Sequence, residues 1–378
     1  MRILFAGGGT GGHIAPGIAL AEAALRAQPS SEFLFVVTGR KAEEPFFSGV
    51  DYQRAALNAP RSGGSIFSRV ALPFRFLLAA LRSGGLLENF SPDVVVGLGG
   101  YASAPVVYAA HSRGIPSVLL EQNAVPGRAT RRLASKAREI YCQFSCTAHS
   151  LGRRGTPVVT GTPVRAEILE KNFSASCAAL KLDFERRTIL VMGGSQGAGG
   201  LNKVVLSILP RLERDYGLLQ IVHQTGSDDY DYVRDEYGKY NIESRVFRFI
   251  NPVAPALHLA DIVICRAGAT GIAEITALGL PSILLPYPHS LDGEQRANAM
   301  QLVERGAAFL VDEKSPGAGN ELYTALSRLL DDGDAARAAA ENSVAMGRRG
   351  AAEEIVERIA AIAGMPADTL VGSVGAKA

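Results

Sequence analysis

Tryptophan is absent from this 378-residue chain, and its four cysteines, Cys142, Cys146, Cys177 and Cys265, are scattered. So few thiols at such spacings build neither a disulfide framework nor a zinc site of paired cysteines, and a reducing compartment is the natural expectation. An excess of one charge sign is lacking too: 39 basic and 37 acidic residues leave a formal net charge of +2. No global electrostatic case for nucleic acid survives that balance, which leaves only local basic patches. Nor does the chain hold an uninterrupted apolar run of ~20 residues, so no membrane-spanning helix is expected. After Met1 it enters an apolar strand directly, without a basic leader and small-residue cleavage site, and secretion is not expected.

What the chain has in abundance is glycine, 41 residues, concentrated in loops that follow short apolar strands. Arg2-Ile3-Leu4-Phe5-Ala6 runs into Gly7-Gly8-Gly9-Thr10-Gly11-Gly12-His13, and Thr188-Ile189-Leu190-Val191-Met192 runs into Gly193-Gly194-Ser195-Gln196-Gly197-Ala198. Glycine lets backbone N–H groups approach an anion, and the helix that follows adds free N–H groups and a favourable dipole. The repeat extends further. Pro92-Asp93-Val94-Val95-Val96-Gly97-Leu98-Gly99-Gly100 resembles the segment from Ala260 to Gly268, and Gly114-Ile115-Pro116-Ser117-Val118-Leu119-Leu120 resembles the segment from Gly279 to Leu285. Both pairs occur in the same order after their glycine loops, so each half repeats one plan.

The short apolar runs, separated by helical stretches such as 15–27 and 200–215, fit parallel strands buried on both faces. The expected class is α/β, two doubly wound domains with ligands at the carboxyl ends of the strands. Gly161-Thr162-Pro163-Val164-Arg165 reads as the linker, because proline disfavours helix in its predecessor. The expected division is 1–163, 164–346, a helix over 347–364 after the break at Gly347-Arg348-Arg349-Gly350, and a disordered tail over 365–378.

The motifs Gly8-Gly9-Thr10-Gly11-Gly12-His13, Gly97-Leu98-Gly99-Gly100-Tyr101-Ala102-Ser103, Glu121-Gln122-Asn123, Gly193-Gly194-Ser195-Gln196-Gly197-Ala198 and Arg266-Ala267-Gly268-Ala269 with Glu274 come in a specific order. Together they resemble the bacterial transferases that move N-acetylglucosamine from UDP-N-acetylglucosamine to undecaprenyl-linked lipid I, giving lipid II for peptidoglycan. The resemblance runs from Arg2 to about Ala363. It implies the GT-B fold, two Rossmann-like domains facing across a cleft, an inverting mechanism and a C-terminal helix returning to the first domain. It also implies a peripheral enzyme at the cytoplasmic face of the cell membrane. Cell-wall or division machinery are compatible partners, and no cofactor is required, with stimulation by a divalent cation left open.

A sugar-nucleotide transferase must hold base, ribose and diphosphate and stabilise the charge that grows on the leaving UDP. The resemblance assigns donor contacts to Thr10, Gly11, Gly12, Asn123, Arg165, Ser195, Gln196, Ile250, Ala269, Thr270, Gly271, Ile272, Ala273, Glu274, Gln295 and Asn298. Arg165 adds a guanidinium to the diphosphate charge. Glu274 matches the ribose-binding glutamate, and without the resemblance it would read as a solvated helix carboxylate. Ile250 matches the position whose backbone meets uracil. Gln295 and Asn298, three apart on a helix beginning near Asp292, share a face suited to sugar hydroxyls. The family commonly has a hydroxyl residue where this chain has Gly271 beside Thr270. Gly99, Gly100 and Tyr101, with the Thr10–Gly12 turn, suit the acceptor's pyrophosphate. His13, at a helix start, suits the general base, and the competing reading is a histidine that only orients.

Asp229-Tyr230-Asp231 invites a metal reading but reads better as an acidic helix start, so no metal is expected. Ile66, Phe67, Val70, Phe74, Leu77, Leu78 and Leu81 recur at helical spacing among Arg61, Arg69, Arg75 and Arg82. Phe67, Arg69, Phe74, Arg75, Leu78 and Arg82 are the expected contacts with anionic lipid; the alternative is a helix packed on the sheet. Three rival functions remain. A dinucleotide oxidoreductase needs an acid ending the second strand, and Phe33-Leu34-Phe35-Val36-Val37-Thr38-Gly39 ends without one. A nucleotide-sugar epimerase on the same fold needs no lipid-facing surface, and a non-catalytic binder needs no turnover.

Overall fold

Alternate residues of the first strand serve opposite faces. Ile3 and Phe5 lie in one apolar cluster, and Leu4 and Ala6 in another. A strand covered on both sides needs apolar residues at every position, which is why the period-2 signal is replaced by a continuous run. The computed structural model describes residues 1–9, 11–57, 72–152, 155–183, 185–194 and 198–365. They divide into two compact units, one made of Met1–Arg165 and the chain from Arg348 on, the other of Ala166–Gly347.

The first unit holds a seven-stranded sheet: β1 (Arg2–Gly7), β2 (Glu32–Val37), β3 (Gln53–Ala56), β4 (Val94–Gly99), β5 (Ser117–Glu121), β6 (Glu139–Cys142) and β7 (Pro157–Val159). Their order across the sheet is 3-2-1-4-5-6-7, and every pairing is parallel. Phe5 stacks on Phe35 with centroids 4.7 Å apart, and Phe35 stacks in turn on Tyr52 at 5.5 Å. Truncating a fully buried ring such as Phe35 to alanine costs roughly 3–5 kcal/mol. The same face is covered by helix Gly11–Ala27 and by helix Ala351–Ile362, whose Ile355, Val356 and Ile359 join the cluster of Ile14 and Ile18. Helix Ala351–Ile362 is also pinned by Arg26–Glu353 at 2.8 Å and Arg358–Glu139 at 3.4 Å.

The second unit repeats the plan with β8 (Arg187–Met192), β9 (Leu219–Gln224), β10 (Glu243–Phe247), β11 (Ile262–Cys265), β12 (Ser282–Leu284) and β13 (Ala308–Leu310), ordered 10-9-8-11-12-13. Counted within its own unit, this is again 3-2-1-4-5-6. The likeness extends to single hydrogen bonds. Asp93 Oδ2 accepts from the N–H of Arg2 at 2.7 Å, and Asp261 Oδ2 accepts from the N–H of Thr188 at 2.7 Å. In each unit the carboxylate before the fourth strand satisfies a donor at the start of the first, which fixes the register between them. In both sheets the order reverses beside the first strand, between β1 and β4 and between β8 and β11. Ligands of open parallel sheets bind outside the carboxyl ends at such a switch point. The expected helix over 200–215 is two helices, Gly199–Leu206 and Leu209–Asp215, the second with Pro210 in its first turn, where proline is tolerated.

Candidate active site

In the first unit, the turn after β1 and the turn after β4 lie against each other. A Cβ on Gly100 would stand 2.8 Å from the carbonyl of Gly8, and one on Gly99 would stand 2.8 Å from His13 Cδ2 and 3.0 Å from its Nε2. No side chain fits there, and the φ values of Gly9, Gly99 and Gly100, +93°, +100° and +73°, are ones that favour glycine. His13 sits in the first turn of helix Gly11–Ala27 with its ring against the Gly99-Gly100 backbone. The side chain is half-buried, and burial pushes its imidazole down from the ordinary value of 6.5, holding it neutral as a base must be. Gly11 lies under the ring of Phe46, Gly12 is exposed, and Tyr101 is exposed at the start of helix Gly100–Ser112.

A residue missed in the sequence organises this turn. Glu43, in the 3-10 segment Lys41–Phe47, is 2% exposed. Its Oε1 accepts from the N–H of Gly9 at 2.6 Å and from Thr38 Oγ1 at 2.6 Å, and its Oε2 accepts from the N–H of Arg40 at 3.0 Å. The reading of the first glycine loop as open to an anion is thereby corrected at Gly9, because that donor is already taken. Glu121, at the end of β5, plays a similar part for the loop that carries Asn123. It is buried and accepts from the N–H groups of Asn123 at 3.1 Å and Gly127 at 2.8 Å. Burial pushes its carboxyl up, against the pull of these hydrogen bonds. The carbonyl of Asn123 accepts from Thr147 Oγ1 at 2.8 Å, so the loop is held from both sides. Beside it the Cys142 thiol is pushed up to about 12, by burial and then by Glu121, which leaves it inert.

In the second unit, Gly193 and Gly194 follow β8, and one side chain ties them to the strand end where Ile250 lies. Gln224 Nε2 donates to the carbonyl of Gly194 at 3.1 Å, while its Oε1 accepts from the N–H of Ile250 at 2.8 Å. Ile250 is therefore buried with its N–H engaged, and a base meeting this residue meets its carbonyl or displaces Gln224. A polar residue ending a buried strand was the signal for Gln224. The helix Ala269–Leu278 turns Ala269, Ile272 and Ala273 into the core, so ligand contacts from these three are limited to backbone. Thr270, Gly271 and Glu274 lie on its half-buried side, and a Cβ on Gly271 would meet open space. Glu274 stands near Cys265, whose thiol is pushed up to about 12 by burial first and by this carboxylate second.

The shared face expected of Gln295 and Asn298 is corrected. Asn298 is 0% exposed, and its Nδ2 donates to the carbonyl of Ala267 at 3.1 Å, so it braces the turn after β11 from beneath. Gln295 stays half-exposed on helix Glu294–Val303, its Oε1 accepting from the N–H of Tyr287 at 2.8 Å. Arg266, quoted within a motif but given no role, forms an ion pair with Glu313 at 2.6 Å and donates to the carbonyl of Leu285 at 3.0 Å. Both side chains of that pair are 9% exposed. Glu313 comes so close to Gly200 that a Cβ there would stand 2.4 Å from Oε2, so the pair also packs against the start of helix Gly199–Leu206.

Arg165 is half-buried and ends the first unit. Asp229 Oδ2 accepts from Asn202 at 2.8 Å, and Asp231 pairs with Arg234 and Arg248, so the two carboxylates face different partners around the start of helix Tyr230–Tyr237. Thr10, Ser195, Gln196, Phe67 and Arg69 lie outside the described residues, as does the chain after Met365. On helix Leu72–Phe90, Phe74 is 65% and Leu81 63% exposed, with Leu77 and Leu78 also exposed and Arg75 and Arg82 among them. Among the described residues no helix is long and apolar enough to cross a membrane.

Residues 3–142 match the family described as glycosyltransferase family 28 N-terminal domain, and residues 188–355 the glycosyltransferase family 28 C-terminal domain. A curated relative from Thermodesulfovibrio yellowstonii is 37% identical over 358 residues, 94% of this chain and 97% of its own length. It is named UDP-N-acetylglucosamine--N-acetylmuramyl-(pentapeptide) pyrophosphoryl-undecaprenol N-acetylglucosamine transferase. Among solved structures, Acinetobacter baumannii MurG is similar at a TM-score of 0.71 and 26% identity, over 95% of this chain and 98% of that one. A UDP-N-acetylglucosamine 2-epimerase from Neisseria meningitidis is similar at a TM-score of 0.66 over 95% and 99%, but at 18% identity, a level that carries the fold alone.

Proposed function

The chain belongs to glycosyltransferase family 28, and from that premise we propose that it transfers N-acetylglucosamine from UDP-N-acetylglucosamine to lipid I, the muramyl-pentapeptide pyrophosphoryl-undecaprenol, giving lipid II. The observation that carries the reading is the relative of that activity matched at 37% identity across 94% of the chain. The repeated sheet supports it, since a GT-B enzyme uses one Rossmann-like unit for the nucleotide sugar and another for the acceptor.

The second unit takes the donor. The turn after β8 and the N-terminus of helix Gly199–Leu206 meet the diphosphate, with Ser195 and Gln196 adding a hydroxyl and an amide, and Arg165, the last residue before the second unit, adding a guanidinium. Glu274 accepts the ribose hydroxyls, the backbone at Ile250 meets uracil, and Thr270, Gly271 and Gln295 read the sugar. The first unit takes the acceptor at Gly99, Gly100 and Tyr101, with Asn123 contributing to the donor sugar. Neutral His13 removes the proton from the muramyl 4-hydroxyl as its oxygen attacks the anomeric carbon. The bond from that carbon to the β-phosphate oxygen breaks with inversion, and UDP leaves with the electron pair. Helix dipole and guanidinium stabilise the leaving charge, so no metal is required and a divalent cation is at most a stimulant.

The acceptor lies in a membrane, and the exposed apolar side of helix Leu72–Phe90 with Arg75 and Arg82 is the surface that meets it. The enzyme is accordingly peripheral at the cytoplasmic face of the cell membrane, where cell-wall and division proteins are its natural neighbours. The test is incubation with sugar-labelled UDP-N-acetylglucosamine, with and without a short-chain lipid I analogue. Label moving to the lipid product only when acceptor is present supports transfer. Formation of the C2-epimeric sugar without acceptor would place the chain with the epimerases instead.

A further inference from the structure

We propose that Glu43 is a positioning residue for transfer, fixing the turn from which the helix carrying His13 starts; this rests on the reading of His13 as base and of that turn as acceptor-side. A carboxylate that is 2% exposed must be satisfied by fixed donors, and Glu43 finds them at the carboxyl ends of two strands. From β1 comes the N–H of Gly9 at 2.6 Å; from beyond β2 come Thr38 Oγ1 at 2.6 Å, the N–H of Thr38 at 3.3 Å and the N–H of Arg40 at 3.0 Å. The bond to Gly9 spans 34 residues of sequence, so it ties the turn to a separate segment rather than closing it locally. A Cβ on Gly8 would stand 2.6 Å from Glu43 Oε1, which shows how closely the turn is drawn onto the carboxylate. Gly9 precedes His13 by four residues, and the His13 ring lies against Gly99 and Gly100. A turn released from Glu43 therefore no longer fixes the start of the helix that sets His13 against Gly99 and Gly100. Glu44, its neighbour, does none of this: it pairs with Arg54 at 2.8 Å with 68% of its side chain exposed.

The consequence is read through His13. Glu43 touches no residue assigned to the donor's diphosphate, but the turn it fixes leads into the donor-contact positions Thr10, Gly11 and Gly12, so its loss falls on turnover first and on the donor KM through the same turn. Glu43→Gln keeps the shape, removes the charge and turns an N–H donor toward Arg40 or Gly9, where an acceptor is needed. One charge-assisted hydrogen bond corresponds to about tenfold.

The experiment is steady-state transfer of labelled N-acetylglucosamine to a short-chain lipid I analogue by the full chain, with both substrates varied. Glu43→Gln is expected to lower kcat/KM for the acceptor by about tenfold, a loss larger than any change in the donor KM. Placed on His13→Ala, the same substitution is expected to change the residual rate little, because both act through one group. Thr38→Val, which removes one donor to Glu43, is expected to lower the same acceptor term severalfold, and Glu44→Gln to behave as wild type. Wild-type acceptor kinetics in Glu43→Gln, an equal loss on the His13→Ala background, or a loss confined to the donor KM would overturn the proposal. Should Glu43→Gln fail to fold by circular dichroism, Thr38→Val decides, and wild-type acceptor kinetics there overturn it. Absence of transfer by the wild-type chain would sink the transferase reading itself, and the proposal with it.

Discussion

At the scale of the residue, the proposed chemistry rests on His13. A positioned base contributes typically 10²–10⁴-fold, so His13→Ala should lower kcat by about that factor while the chain stays folded. The pH dependence carries a sign. Only neutral imidazole accepts the proton, activity falls as pH drops through its pKa, and burial holds that pKa below 6.5. The acid limb of kcat/KM for the acceptor should therefore lie below about pH 6.5, and a limb at pH 7 or above would remove His13 as the titrating base. Candidates of this kind could be named from the sequence where a motif carried them. Their supports could not. Glu43 and Glu44 are adjacent carboxylates that only burial distinguishes, one beneath a glycine turn and the other paired with Arg54 in solvent. Asn298 and Gln295 share a helix, but which side of it faces the core is set by packing of the neighbouring strand ends, so Asn298 ends buried beneath the Ala267 turn while Gln295 stays half-exposed.

At the scale of the element, helix Leu72–Phe90 and strand β9 make separate predictions. Phe74, Leu77, Leu78 and Leu81 follow one another at helical spacing and all remain exposed, while Ala79, Leu87 and Phe90 of the same helix pack into the core. Charge reversal at Arg75 and Arg82 should weaken cosedimentation with anionic vesicles, and Leu77→Ser with Leu81→Ser should weaken it at high salt as well; unchanged binding in both variants would remove the membrane role. In β9, His223 is buried between Tyr237 Oη at 3.0 Å and Asn202 Oδ1 at 3.1 Å, and burial pushes its pKa down to about 3. The folded state keeps it neutral while the unfolded chain takes up a proton near pH 6.5, so this contribution to stability is complete above that pH and is lost as pH falls toward 3. Between pH 7 and 5 the loss is about 2 kcal/mol, and thermal melts of His223→Gln should show a shallower pH slope than wild type. An identical slope would contradict the assignment. Strands and helix starts were legible because double-faced burial and glycine turns leave strong local patterns. The split at Leu206 and Leu209 was less so, since Pro210 is compatible with either a kink or a fresh helix start.

At the scale of the whole molecule, one plan is used twice and then divided. The same strand order, the same glycine turns beside the switch point and the same aspartate-to-strand bond recur in both units. The supports beneath the turns differ. In the first unit a carboxylate, Glu43, takes up one donor of the glycine turn, at Gly9, just before the helix that carries His13. In the second unit a neutral amide, Gln224, takes the carbonyl of Gly194 and adds no negative charge where a diphosphate would lie. This division of labour is the centre of the account, and the internal repeat alone does not reveal it. Calorimetric titration of UDP-N-acetylglucosamine into wild type, His13→Ala and Glu274→Ala tests it most directly. His13→Ala should bind the donor within about twofold of wild type, and Glu274→Ala should bind it at least about tenfold more weakly, the scale of a lost charge-assisted hydrogen bond. Donor binding lost in His13→Ala and retained in Glu274→Ala would contradict the account.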